Sequence, residues 1–248
     1  MALRVRRRGK RRQNQAHPLI RAGDRTMTFV TDRGGGELDG IELPSMEEIE
    51  AALDTVPEEL DWDWASGRLF PLFERGYGEG VTGDPMVNTV SHLGVGIGYG
   101  IDFGPVIGRV TRSMARRWEA SVQQIEQAAF THLAEVVAGI GAIDLQPTVH
   151  RGHFFRGLGK PDGWASSVIL AGEAELVRIF GSRDVLFTVP ARNSLLAFGP
   201  ATPTRAVVEV TLQLESMDPH PLQLDPFVME DGILRWEGLE DDEPIGVV

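Results

Sequence analysis

Between His92 and Gly104 the chain reads HLGVGIGYGIDFG, with glycine at every second position from 94 to 100. A period of two belongs to an extended strand, whose successive side chains point to opposite faces. Val95, Ile97, Tyr99, Ile101 and Phe103 fall on one face; Gly94, Gly96, Gly98 and Gly100 fall on the other. The apolar face suits a core. Glycine otherwise weakens a strand, so a glycine lane implies close approach to the backbone, and a packed helix is the expected neighbour. The run fails as a phosphate loop. A dinucleotide fingerprint needs G-x-G-x-x-G between a strand and a helix. Counted from Gly94, Gly96 or Gly98, its last position is Tyr99, Ile101 or Phe103. No Lys followed by Ser or Thr closes the run, as a P-loop requires.

Around this strand the sequence mixes helix and strand signals without a regular βαβ alternation. That predicts an α+β fold: a mixed, mainly antiparallel sheet with helices packed on it. Residues 1–25 are polar and Arg-rich and read as a disordered tail. Residues 26–248 read as one domain, dividing at most into sub-lobes 26–140 and 141–248. Strands are expected at 27–32 and 41–43. Ser45 with Glu48, and Ser121 with Gln124, form capping boxes that open helices. The second helix is expected to run to Gly139 with Val122, Ile125, Ala129, Leu133 and Val136 facing the core. Residues 68–77 read as a strand in which Pro71 marks an edge or a bulge. Residues 148–157 read as one strand, and 164–181 as one helix started near Asp162 and closed by Gly181. DVLFTVP and SLLAFG read as two strands around a turn. Residues 203–214 fit either helix or strand, with helix preferred for the Thr202–Pro203 start. A closing hairpin is expected around Asp231–Gly232.

Composition excludes several functions. Cysteine is absent, so disulfides, thiolate catalysis and Cys-ligated metals are excluded. No apolar run approaches the roughly 18 residues of a membrane span. The N-terminal stretch lacks the apolar core of a signal peptide, which predicts a cytoplasmic protein. Seven of the 24 basic residues (Arg4, Arg6, Arg7, Arg8, Lys10, Arg11 and Arg12) precede residue 13, leaving 17 basic against 36 acidic residues, a net of −19. An acidic body disfavours a broad nucleic-acid face, so nucleic-acid or anionic-surface contact is left to residues 4–12.

The chemistry-bearing residues form no recognisable motif. In a single strand His150 and His153 would point to opposite faces, and the other histidines are scattered, so no metal site and no cofactor is expected. No G-x-S-x-G elbow is present. Asp102, at the end of the apolar strand, is the one acid/base candidate, with Arg109 and Arg112 as neighbours. Arg109, Arg156, Ser166, Arg192 and Asn193 are candidates for holding an anion. Trp62 and Trp64, in an acidic segment, are candidates for a partner surface or for packing.

The order of segments carries a resemblance. IDFG, AAF with Leu133, DGWAS and VP mark Asp102 and Gly104; Ala128, Ala129 and Phe130; Asp162, Gly163, Ala165 and Ser166; and Val189 with Pro190. Followed by the closing hairpin, and spanning roughly residues 68 to 238, this order resembles the YtpQ-like family of uncharacterised bacterial proteins. The resemblance implies a bacterial, cytoplasmic α+β protein and brings no activity, cofactor or catalytic residue. The Arg-rich tail and the glycines at 94–100 depart from that pattern. The expected function is a non-enzymatic binding or accessory protein with a protein partner. The alternatives are an enzyme acting on a small anionic substrate and a nucleic-acid-associated protein using its tail.

Overall fold

The computed structural model describes residues 45–73, 86–104, 107–150, 152–159, 164–218, 221–222 and 224–236. The basic tail and the strands expected at 27–32 and 41–43 lie outside them, as does Asp162. The fold is α+β, with two mainly antiparallel sheets. Among the described residues no helix is long and apolar enough to cross a membrane.

The first half holds α1 (Met46–Leu53), α2 (Trp62–Ser66), β1 (Leu69–Phe73), β2 (Asn88–Val90), β3 (Gly96–Asp102), β4 (Ile107–Arg109), α3 (Arg112–Arg117) and α4 (Val122–Ala138). Both capping boxes form, at Ser45–Glu48 and Ser121–Gln124. The glycine run is strand β3, at the centre of its sheet, with β1 along one side and β2 and β4 along the other. Ile97, Tyr99 and Ile101 are buried in the same apolar cluster as Ile125, Ala129, Leu133 and Val137 of α4. Val137 rather than Val136 completes that stripe, and Val122 in the first turn is exposed.

The neighbour of the glycine lane differs from expectation. A Cβ at Gly100 would collide with the side chain of Ile107 and sit 2.7 Å from Leu72 Cδ1 and 3.2 Å from the Gly108 carbonyl oxygen. The lane at Gly100 is filled by side chains of the flanking strands, not by a helix. Pro71 stands in β1, an edge strand as expected. A buried 3-10 segment, Ala165–Ala171, packs against β1, and the Ser167 hydroxyl donates to the Pro71 carbonyl at 2.5 Å.

The second sheet has the order β10-β9-β7-β8-β6-β5. Its strands are β5 (Leu145–His150), β6 (His153–Gly159), β7 (Val185–Thr188), β8 (Ser194–Phe198), β9 (Phe227–Glu230) and β10 (Ile233–Trp236); its helices are α5 (Glu173–Phe180) and α6 (Thr204–Met217). Leu195 and Ala197 of β8 face the main cluster, while Leu196 and Phe198 meet Val207, Val210 and Leu214 of α6. A sheet covered on both faces explains the unbroken apolar run SLLAF. The same burial settles 203–214 as helix, with Pro203 rather than Thr202 at the cap position.

Two expected elements are divided. Residues 148–157 are the two arms of the β5–β6 hairpin, whose register sets His150 opposite His153. The expected placement of the two histidines on opposite faces of one strand is therefore overturned. Residues 164–181 are the 3-10 segment and α5, broken at Gly172 with φ +96°. Residues 165–170 are all buried, so no polar face marks the helix period there. Gly181 closes α5 in the left-handed conformation as expected, its N–H donating to the Val177 carbonyl. The hairpin at Asp231–Gly232 forms as expected.

Candidate functional site

A mainly polar cleft lies where β1 begins and β3 ends, lined from α2 by Trp64 and from α4 by His132. Helix α2 is short because Asp61 caps it and Gly67 stops it; the Asp61 carboxylate accepts the Trp64 N–H at 2.8 Å. Trp64 and Arg68 are four residues apart, so the guanidinium folds back over the indole, 4.3 Å from the ring centroid. Arg68 Nη1 also donates to the Trp64 carbonyl at 3.0 Å. The indole stacks on Phe103 at 5.9 Å. Trp64 therefore holds the arginine in place, and both its faces are engaged.

The Asp102 N–H donates to the Arg68 carbonyl at 2.8 Å, tying the end of β3 to the start of β1. Its carboxylate accepts the Gly104 N–H at 2.6 Å, a tight turn that Gly104 closes with φ +89°. From α4, His132 places Nδ1 3.1 Å from the Leu69 carbonyl, with its ring edge-on to Phe70. A carbonyl only accepts, so Nδ1 carries the proton, and in the neutral ring Nε2 is an acceptor. Trp64, Arg68, Asp102, Gly104 and His132 line one cleft of about 360 Å³. His132 also lines a second cleft of about 370 Å³, with Trp62, Gly67, Gln127, Thr131 and Glu135. Residues of α2 and α4 line both clefts, and His132 is common to the two.

The sequence singles out Asp102 as an acid/base candidate and Trp62 and Trp64 as partner-surface or packing candidates, and the structure brings Asp102 and Trp64 to one cleft and Trp62 to the other. Trp62 packs at 6.0 Å on Trp118, whose indole N–H donates to the Leu60 carbonyl. Arg68 and His132 were missed. The four-residue Trp64–Arg68 spacing is a signal for the first. His132 stands beside Leu133 on the core helix with no local mark of its role.

The other candidates are dispersed. Arg109 lies on β4 opposite Gly100, with Nη1 2.9 Å from Met86 Sδ. Arg156 donates to the Phe180 carbonyl at 2.6 Å and so closes the end of α5. Ser166 and Arg192 do come together, the Ser166 N–H donating to the Arg192 carbonyl at 3.0 Å, with Asn193 next in the β7–β8 turn. The Ser166 hydroxyl is fully buried and makes no hydrogen bond. That turn adjoins Gly159, at the end of β6 away from the His150–His153 pair. Six strand positions separate the two ends, about 20 Å. Among the described residues no cluster of His, Asp and Glu is arranged to hold a metal.

No protein-family model, curated protein or solved structure matches this chain. Function rests on the residues and their geometry.

Proposed function

We propose that the protein is a non-enzymatic binding or accessory protein that takes a segment of a protein partner along the groove between α2 and α4. The observation behind this is that two open clefts, one of them mainly polar, share His132 in their linings and are both bordered by α2 and α4. An extended polypeptide presents N–H and C=O groups along its length. Arg68 offers a fixed donor, while Asp102 and His132 Nε2 offer acceptors, along the first half of the groove. None of Arg109, Arg156 and Arg192 lines the cleft that holds Asp102, which also favours binding over catalysis. A cytoplasmic setting and membership of the YtpQ-like family are parts of the same proposal.

The test is affinity capture from native extract with wild type and with the double variant Arg68→Ala/His132→Ala, with metabolites measured in the same eluates. A protein retained by wild type and lost from the folded double variant is the expected result. A small anion lost in its place would overturn this reading in favour of an enzyme using Asp102 and His132.

A further inference from the structure

We propose that the cleft between α3 and the start of α4 is a second binding site, specific for a small phosphate-bearing anion. It is separate from the α2–α4 groove and does not depend on it. The cleft has a volume of about 580 Å³ and is lined by Asn88, Arg112, Arg116, Glu119 and Ser121. Volume in this range is enough for a small metabolite.

Charge distinguishes the place. Residues 109–117 carry four arginines and no acid, the densest basic stretch beyond residue 12 in an otherwise acidic body. Arg112, Arg116 and Arg117 are all exposed on α3, and none forms an ion pair with a described residue. Other arginines are committed: Arg178 to the Val137 and Ile140 carbonyls, Arg156 to Phe180, Arg205 to Glu209. Two of these cations, Arg112 and Arg116, line one cleft without an ion pair among the described residues, so an anion entering it meets two guanidinium groups that are free to bind it.

The spacing selects the anion. Arg112 and Arg116 are one helical turn apart, so their stems leave the helix about 6 Å from each other. Two planar guanidinium forks at that separation can close on one group from two sides. A carboxylate carries one charge on two oxygens, whereas a phosphate monoester carries close to two charges on three terminal oxygens and so gains more from two forks. A phosphoryl group has three terminal oxygens and can engage both. The long-range field of the acidic body repels an extended polyanion, whereas a compact anion is held by short-range contacts. Glu119, which lines the same cleft, would accept from a hydroxyl or amine on the rest of the ligand. The class is therefore a phosphate monoester carrying such a donor.

The experiment is isothermal titration of the full chain with inorganic phosphate and with glycerol phosphate, at constant ionic strength. It is repeated on Arg112→Gln, Arg116→Gln and Arg117→Gln, the last lying on the same helix but off the cleft. Wild type is expected to bind both probes saturably, with each of the first two substitutions weakening binding by about tenfold and Arg117→Gln leaving it unchanged. Absence of saturable binding by wild type, or an equal loss in Arg117→Gln, would overturn the site. So would a single-stranded oligonucleotide that displaces phosphate with a steep salt dependence, which would assign the arginines to nucleic acid.

Discussion

Replacing Gly100 by alanine tests the packing that the glycine run serves. The added Cβ would press on Ile107, lie 2.7 Å from Leu72 Cδ1 and sit 3.2 Å from the Gly108 carbonyl oxygen. None of these neighbours yields easily. Ile107 is β-branched and stiff at its first torsion. Leu72 is 2% exposed and enclosed by the core. The Gly108 carbonyl belongs to β4, which pairs with β3. Overpacking of this kind costs about 1–3 kcal/mol. Against it, removing a glycine lowers the entropy of the unfolded chain and returns about 0.4–1 kcal/mol. The net expectation is a loss of about 1–2 kcal/mol, and a chain of this size melts roughly 2–4 °C lower for each kcal/mol lost. Urea and thermal denaturation of wild type, Gly100→Ala, Ile107→Ala and the double variant form a thermodynamic cycle. The double variant should be more stable than the sum of the single losses, because Ile107→Ala removes the colliding methyl. Gly100→Ala at or above wild-type stability, or an additive cycle, would show that the flanking strands do not fill the lane.

Two further predictions concern buried polar groups. Ser166→Ala should be neutral or stabilising, because it removes a buried hydroxyl without a partner, whereas Ser167→Ala should cost about 1–3 kcal/mol by leaving the Pro71 carbonyl unpaired; urea midpoints of the two variants decide it. Burial pushes the ionisation of Tyr99 well above the ordinary phenol range, reinforced by the nearby Glu126, while the hydrogen bond to Thr89 opposes the shift. Its contribution to stability is thus complete below the unfolded value near 10 and is lost as pH rises from there through the folded value. Ultraviolet titration should show one of the two tyrosines ionising only with alkaline unfolding; ionisation of both in the folded state would refute this.

How much was legible before the structure varies by element. Ser45–Glu48 and Ser121–Gln124 announced their helices because a capping box is a local arrangement of four residues. Asp231–Gly232 announced its hairpin for the same reason, through the backbone conformation the turn demands. The 164–181 segment was read as one helix because residues 165–170 are buried on every side and show no period. The β5–β6 hairpin was read as one strand because both arms are strand-like in sequence and only Gly152, with φ +83°, marks the reversal. In the site, Asp102 was visible as a carboxylate ending an apolar strand. Its companions Arg68 and His132 are 34 and 30 residues away on other elements, and no local pattern joins them.

The alternation of glycine and apolar residues by itself determined that residues 96–102 form a strand with one face in the core, since side-chain direction in a strand follows from backbone geometry alone. It also excluded a phosphate loop, which needs particular residues at particular positions. What fills the glycine lane was decided only by the tertiary structure, because Leu72 and Ile107 reach Gly100 through the pairing of three separate strands. The same holds for the groove: its polar groups meet because β1, β3, α2 and α4 pack together, and that packing depends on contacts between residues far apart in the chain.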